Sequence, residues 1–246
     1  MLTFSTHIFT FKKKQVIVFT CFFFLLMACR KDRDVSDFDF GHAYYPVEVG
    51  NWYLYQVDSI AFFEGDTTKH VSYQLLEYYE SIIEDNQGRD AFRFERYRKY
   101  SESDNWNVSE VWQSILLSER VERTEENQRI IKLVFPVRRN QTWDGNAYNT
   151  FPEQTYFYAN DSLFIPKMIQ GSTYDSTITV IQLELNPDNV IRREFEDEVY
   201  AKNIGLIERR EVHLDTEVTG EIKSGYMYTK QLLDFGHEDD GDPFEM

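Results

Sequence analysis

The sequence predicts an all-β protein: an antiparallel meander of long strands with little helix, curved into an open or half barrel or folded over as a sandwich. Two observations carry this. Large apolar residues recur with a period of two, as on the buried face of a strand, and the breaks between these runs carry turn chemistry. A third observation bears on shape. Several runs exceed the usual five or six residues, with charges such as Arg93, Arg96, Arg98 and Lys99 on both parities, and long strands need twist and curvature.

Val71, Tyr73 and Leu75 alternate with Ser72 and Gln74, and Phe92 and Phe94 with Arg93 and Glu95; Trp106, Val108 and Trp112 share one parity. Further strands are expected at Ile130 to Phe135, Thr155 to Tyr158, Thr177 to Leu185, Val190 to Tyr200, Leu206 to Val218 and Ile222 to Leu233. Tyr, Phe, Trp, Val, Ile and Thr dominate them, as strands prefer. Turns are read at Gly65-Asp66, Asp85 to Gly88, Glu126-Asn127, Asn186 to Asn189, Asn203 to Gly205 and Thr219-Gly220. Only Leu75 to Ile83 leaves helix open. A transmembrane barrel is not expected, because charges on both faces would meet lipid.

Chemistry has little support. His42, His70, His213 and His237 show no metal-ligand spacing, no serine sits in a nucleophile elbow, and no glycine-rich loop follows a strand. No metal and no cofactor are expected, and the domain reads as non-enzymatic. A glycosidase-like pair of carboxylates is the enzymatic alternative. Glu194, Glu196 and Glu198 share one strand face and would repel each other if buried, so a solvated face is expected for them.

Near the start, Lys12, Lys13 and Lys14 precede an uncharged stretch from Val16 to Ala28, the basic and apolar regions of a secretory signal. Leu26-Met27-Ala28-Cys29 resembles a bacterial lipobox. The resemblance implies cleavage between Ala28 and Cys29, with Cys29 lipidated as the mature N-terminus. The stretch is shorter than the roughly 20 residues of a spanning helix. Residues 1–28 are therefore read as signal peptide, 29–42 as a flexible tether, 43–236 as one β-rich domain and 237–246 as a disordered acidic tail. Losing the signal removes three lysines and no acid, leaving 23 basic against 42 acidic side chains, a net charge of −19. Nucleic acid is excluded as a partner by that charge. Cys21 leaves with the signal and Cys29 is consumed by lipid, so disulfides and thiol chemistry are excluded.

Tyr45-Pro46-Val47 followed by Gly50-Asn51-Trp52 has an echo in Phe135-Pro136-Val137 followed by Asn140 to Trp143. Trp52 and Trp143 are expected to pin strands to the core, with ligand stacking as the alternative. With Tyr200-Ala201-Lys202-Asn203-Ile204-Gly205-Leu206, these patterns and the lipobox resemble outer-membrane lipoproteins of the bacteroidete type. The last pattern is also similar to one near the lipoprotein-carrier superfamily, whose half barrels hold lipid tails; that resemblance implies a hydrophobic-ligand carrier or sensor as a second reading. Arg30 after Cys29 implies transport to the outer membrane, and Lys31-Asp32-Arg33-Asp34 loosely resembles a surface-export tag, the alternative being an ordinary charged linker. Ser59, Thr67, Ser162 and Ser176 match the short O-glycosylation acceptor pattern of the same bacteria. The expected partners are the membrane through the anchor, and an envelope protein, glycan or lipid.

Overall fold

The computed structural model describes residues 39–65, 67–185 and 189–245. The signal segment, Ala28, Cys29, the tether up to residue 38 and the Lys31 to Asp34 stretch lie outside the described residues. Among the described residues thirteen strands form: β1 (Asn51–Phe63), β2 (Thr67–Glu84), β3 (Asp90–Lys99), β4 (Asn107–Leu116), β5 (Arg120–Glu125), β6 (Gln128–Val134), β7 (Thr142–Asp144), β8 (Thr155–Tyr158), β9 (Ile165–Ile169), β10 (Ser172–Glu184), β11 (Arg192–Ala201), β12 (Gly205–Thr216) and β13 (Ile222–His237). Helix is limited to short 3-10 turns. The ambiguous stretch Leu75 to Ile83 is strand, because β2 is paired along its length by β1 and β3.

All pairings are antiparallel, in the order β6-β5-β4-β3-β2-β1-β13-β12-β11-β10-β8-β7, with β9 beside β10. The twelve-strand path is rolled until its two ends meet, nearly closing a barrel. At the seam Ile131 N donates to Gly145 O at 2.9 Å, and the Trp143 indole N–H donates to Ile131 O at 2.9 Å. The Tyr158 hydroxyl accepts from Val134 N at 3.1 Å and donates to Val134 O at 2.6 Å. Side chains thus satisfy edge groups of β6 that would otherwise invite a foreign strand.

Curvature comes from bulges, each an unpaired extra residue that bends its strand. Glu80, Ser109, Lys132, Gln182, Ile207 and Leu233 are such residues. One core cluster includes Tyr44, Tyr45, Leu133, Tyr158, Ile178 and Tyr200. Another includes Tyr55, Val57, Leu75, Tyr79, Phe94 and Leu232.

Two boundaries differ from expectation. The domain begins before residue 43: Val137 N donates to Phe40 O at 3.1 Å, and Lys202 pairs with Asp39 at 2.6 Å. The acidic end, expected as a disordered tail, is held on the outer face instead. His237 ends β13, Glu238–Asp240 form a 3-10 turn, Tyr78 donates to Glu238, and the Phe244 ring meets Tyr97 edge-on at 4.8 Å. A single aromatic residue supplies the apolar contact that acid-rich composition hides.

Candidate functional site

The inside of the barrel holds most of the unexpected chemistry. Glu77 of β2 lies between Leu75 and Tyr79 on the inward parity and is 2% exposed. Three cations converge on its Oε1: Arg96 Nε at 3.1 Å, Arg123 Nη2 at 3.2 Å and Lys230 Nζ at 3.2 Å. Burial alone would raise the Glu77 pKa, but Lys230, Arg123 and Arg96 outweigh it and hold the carboxyl well below the usual range. The counterpart effect falls on Lys230, where burial and the neighbouring arginines outweigh Glu77 and lower the ammonium to about 8.

A second buried group centres on Glu198. Lys132 is the bulged residue of β6, and the bulge aims its ammonium across the barrel to Glu198 Oε1 at 2.6 Å. Tyr200 donates to the other oxygen of Glu198 at 2.5 Å. Arg209 of β12 lies 3.7 Å from both Glu198 and Glu125. Burial is again outweighed: Lys132, Arg123 and Arg209 hold Glu125 at about 2, and Lys132 and Arg209 lower Glu198. Aromatic faces complete the solvation. Arg96 stands 3.8 Å over Trp112, Arg123 4.8 Å over the same ring and 4.7 Å over Phe94, and Lys230 4.4 Å over Tyr55.

Of the three glutamates of β11, Glu198 and Glu194 meet cations and Glu196 meets an imidazole. Glu198 is buried rather than on a solvated face, the repulsion expected of such a row being removed by Lys132 and Arg209. Glu196 sits 2.9 Å from His213 Nε2, and Glu194 3.6 Å from Arg192. Among the described residues, every carboxyl with a displaced pKa is displaced downward, so the network stores ionised pairs rather than a protonated acid. No group of three metal-ligating side chains converges among them. The space left beside Tyr55, Glu77 and Arg123 is about 20 Å³, room for about one water.

The comparisons with known proteins add little. No family model matches the chain, and neither does any curated protein. Two solved chains resemble it weakly. One is assigned as a lipoprotein of Parabacteroides distasonis ATCC 8503, with 8% identity, 81% of this chain and 100% of that chain covered, and a TM-score of 0.43. The other is assigned as an exported protein with a YmcC-like fold from Bacteroides fragilis NCTC 9343, with 10% identity, 78% and 98% covered, and a TM-score of 0.32. Neither assigns a role to a residue here.

The residues singled out from the sequence are scattered. Trp52 is 6% exposed in an outer-face cluster with Leu54 and Leu76, whereas Trp143 packs on Tyr156 and Tyr158 at the seam, so the two rings share no surface. The sequence echo does hold in the backbone, since Gly50 and Asn140 both take positive φ before their strands. Ser59 lies mid-strand in β1 between Val71 and Tyr228, and the Ser176 hydroxyl is bound to Tyr44 Oη at 2.6 Å. Thr67 is exposed at the start of β2, and Ser162 ends the 3-10 turn Asn160–Ser162. Sequence reasoning missed Glu77, Arg123, Lys132, Arg209 and Lys230. Charges at inward parity were visible, but which strands lie opposite one another was not.

Proposed function

We propose that this chain is a lipid-anchored envelope protein, carried to the outer membrane and held there through Cys29, whose barrel is a non-enzymatic binding or bracing module. The observation that carries the module reading is the filled interior: Tyr55, Tyr79, Arg123 and Lys230 occupy the space a carrier would leave open, and cross-barrel ion pairs tie opposite walls together. An acyl chain placed there would displace paired charges at a cost of several kcal/mol each. The depressed pKa values of Glu77, Glu125 and Glu198 support the same reading against a glycosidase, which needs one acid protonated.

Cys29→Ser tests the anchor. Acylation holds the protein at ~0.8 kcal/mol per buried methylene, so the variant is expected in the soluble fraction after a carbonate wash, and its retention in membranes would remove the anchor from this account. Native mass spectrometry of the purified chain tests the module reading. A stoichiometric lipid adduct beyond the anchor would restore the carrier.

A further inference from the structure

Outside the barrel, beside β3, β4 and β5, lies a groove of about 850 Å³, within the size range of ligand sites. It exists because the β5–β6 hairpin is short: β4 is paired by β5 only over Gln113–Leu116, so the edge of its first six residues, 107–112, is uncovered among the described residues. Asn86 and Asn127 stand on its walls, and among the described residues their side-chain amides bond to no other residue. Gln113 donates to Thr124 Oγ1 at only 3.4 Å. Tyr148, half exposed, supplies an aromatic ring with the Arg120 guanidinium 5.1 Å away.

The cations of the groove are already neutralised. Arg93 pairs with Glu80 and Glu95 at 2.7 Å, and Arg129 lies 3.6 Å from both Asp85 and Glu122. Glu110 is taken by Arg96 and Arg98. Glu126 is exposed and has no ion-pair partner among the described residues. Among the described residues an anionic ligand therefore finds no free cation lining the groove and one repelling carboxylate, while the free amides offer both donors and acceptors, the complement of hydroxyl groups. The open edge also offers main-chain groups, but the bulge at Ser109 breaks their regular spacing. A regular added strand cannot zip along it, whereas irregularly placed hydroxyls can use it.

We propose that this groove binds a neutral oligosaccharide. The inference deepens the binding-module reading and is independent of the anchor. It is tested with the full-length Cys29→Ser chain on an array of neutral hexose oligomers, uronic-acid oligomers and strand-forming peptides. Neutral oligomers are expected to bind. Asn127→Gly, which keeps the left-handed turn at φ 64° but removes the amide, and Tyr148→Ala are each expected to weaken binding at least about tenfold with an unchanged circular dichroism spectrum. Absence of neutral-glycan binding, preference for acidic glycans, binding indifferent to both variants, or capture of peptides alone would each overturn the proposal. Because the chain tested carries no anchor, a negative array leaves the membrane-release result for Cys29 standing by itself.

Discussion

Lys132 Nζ and Glu198 Oε1 meet at 2.6 Å although β6 and β11 are eight strands apart along the sheet, so this contact exists only because the sheet is rolled. Each group is almost fully buried, and each is costly without the other. Glu198→Gln is expected to cost about 3–5 kcal/mol by leaving Lys132 and Arg209 undercompensated. Lys132→Met together with Glu198→Leu is expected to recover much of that loss. Urea denaturation of the single and double variants decides it; equal losses in both would show that the pair is not coupled.

The acid limb of stability follows from the same network. Glu77, Glu125 and Glu198 have folded pKa values below the usual carboxylate range, with Glu125 at about 2. Depressed carboxyls contribute stability that is present above their unfolded pKa near 4.3 and lost as pH falls through the folded value. Melting temperature is expected to decline between about pH 4.5 and pH 2. Glu125→Gln should flatten part of that decline.

On the alkaline side two effects oppose. Lys230 loses its proton at about 8 when folded but near 10.4 when unfolded, so it binds fewer protons in the folded state and stability rises over that interval. Burial raises Tyr55, Tyr79 and Tyr200 well above 10, so their contribution is complete below pH 10 and disappears above it, as the unfolded chain ionises first. A stability maximum at about pH 10, with steep loss beyond, is expected. Lys230→Met should remove the rise and leave the loss, a contrast read by melting curves against pH.

Trp52 and Trp143 should both be costly to truncate, for different reasons. Trp52 fills the outer cluster against Gly236, while Trp143 closes the seam through its indole N–H. Either change to Ala is expected to cost about 3–5 kcal/mol. Trp143→Phe, keeping a ring but losing the donor to Ile131 O, should cost about 1–3 kcal/mol. Raised hydrogen exchange confined to β6 is expected with it; uniform exchange would refute the seam role.

Gly225 and Gly220 offer a paired test of close approach against backbone strain. A Cβ on Gly225 would stand 1.9 Å from the His213 carbonyl oxygen, where φ is +123°, whereas Gly220 at φ +90° has nothing within 4 Å. Gly220→Ala is expected to cost about 1 kcal/mol and Gly225→Ala about 3 kcal/mol or more, since only the second forces β12 and β13 apart. Chemical denaturation ranks them, and a reversed order would contradict the register of this hairpin.

Period-two alternation and turn residues determined that the chain folds as antiparallel strands, because side-chain direction in a strand is a local property that each Tyr, Val or Phe expresses without distant partners. Their length determined that the sheet must bend. The lipobox-like Leu26 to Cys29 likewise needs no fold to be legible. Which way the sheet closes was settled only by tertiary structure. Lys132 becomes inward through a bulge, Glu77 becomes a hub for three cations from three other strands, and Phe244 anchors an acid-rich end that composition alone marks as loose. These contacts join residues up to 153 positions apart, as Lys230 and Glu77 are. A charge at inward parity is unfavourable until its partner arrives across the barrel, so no local pattern can announce it.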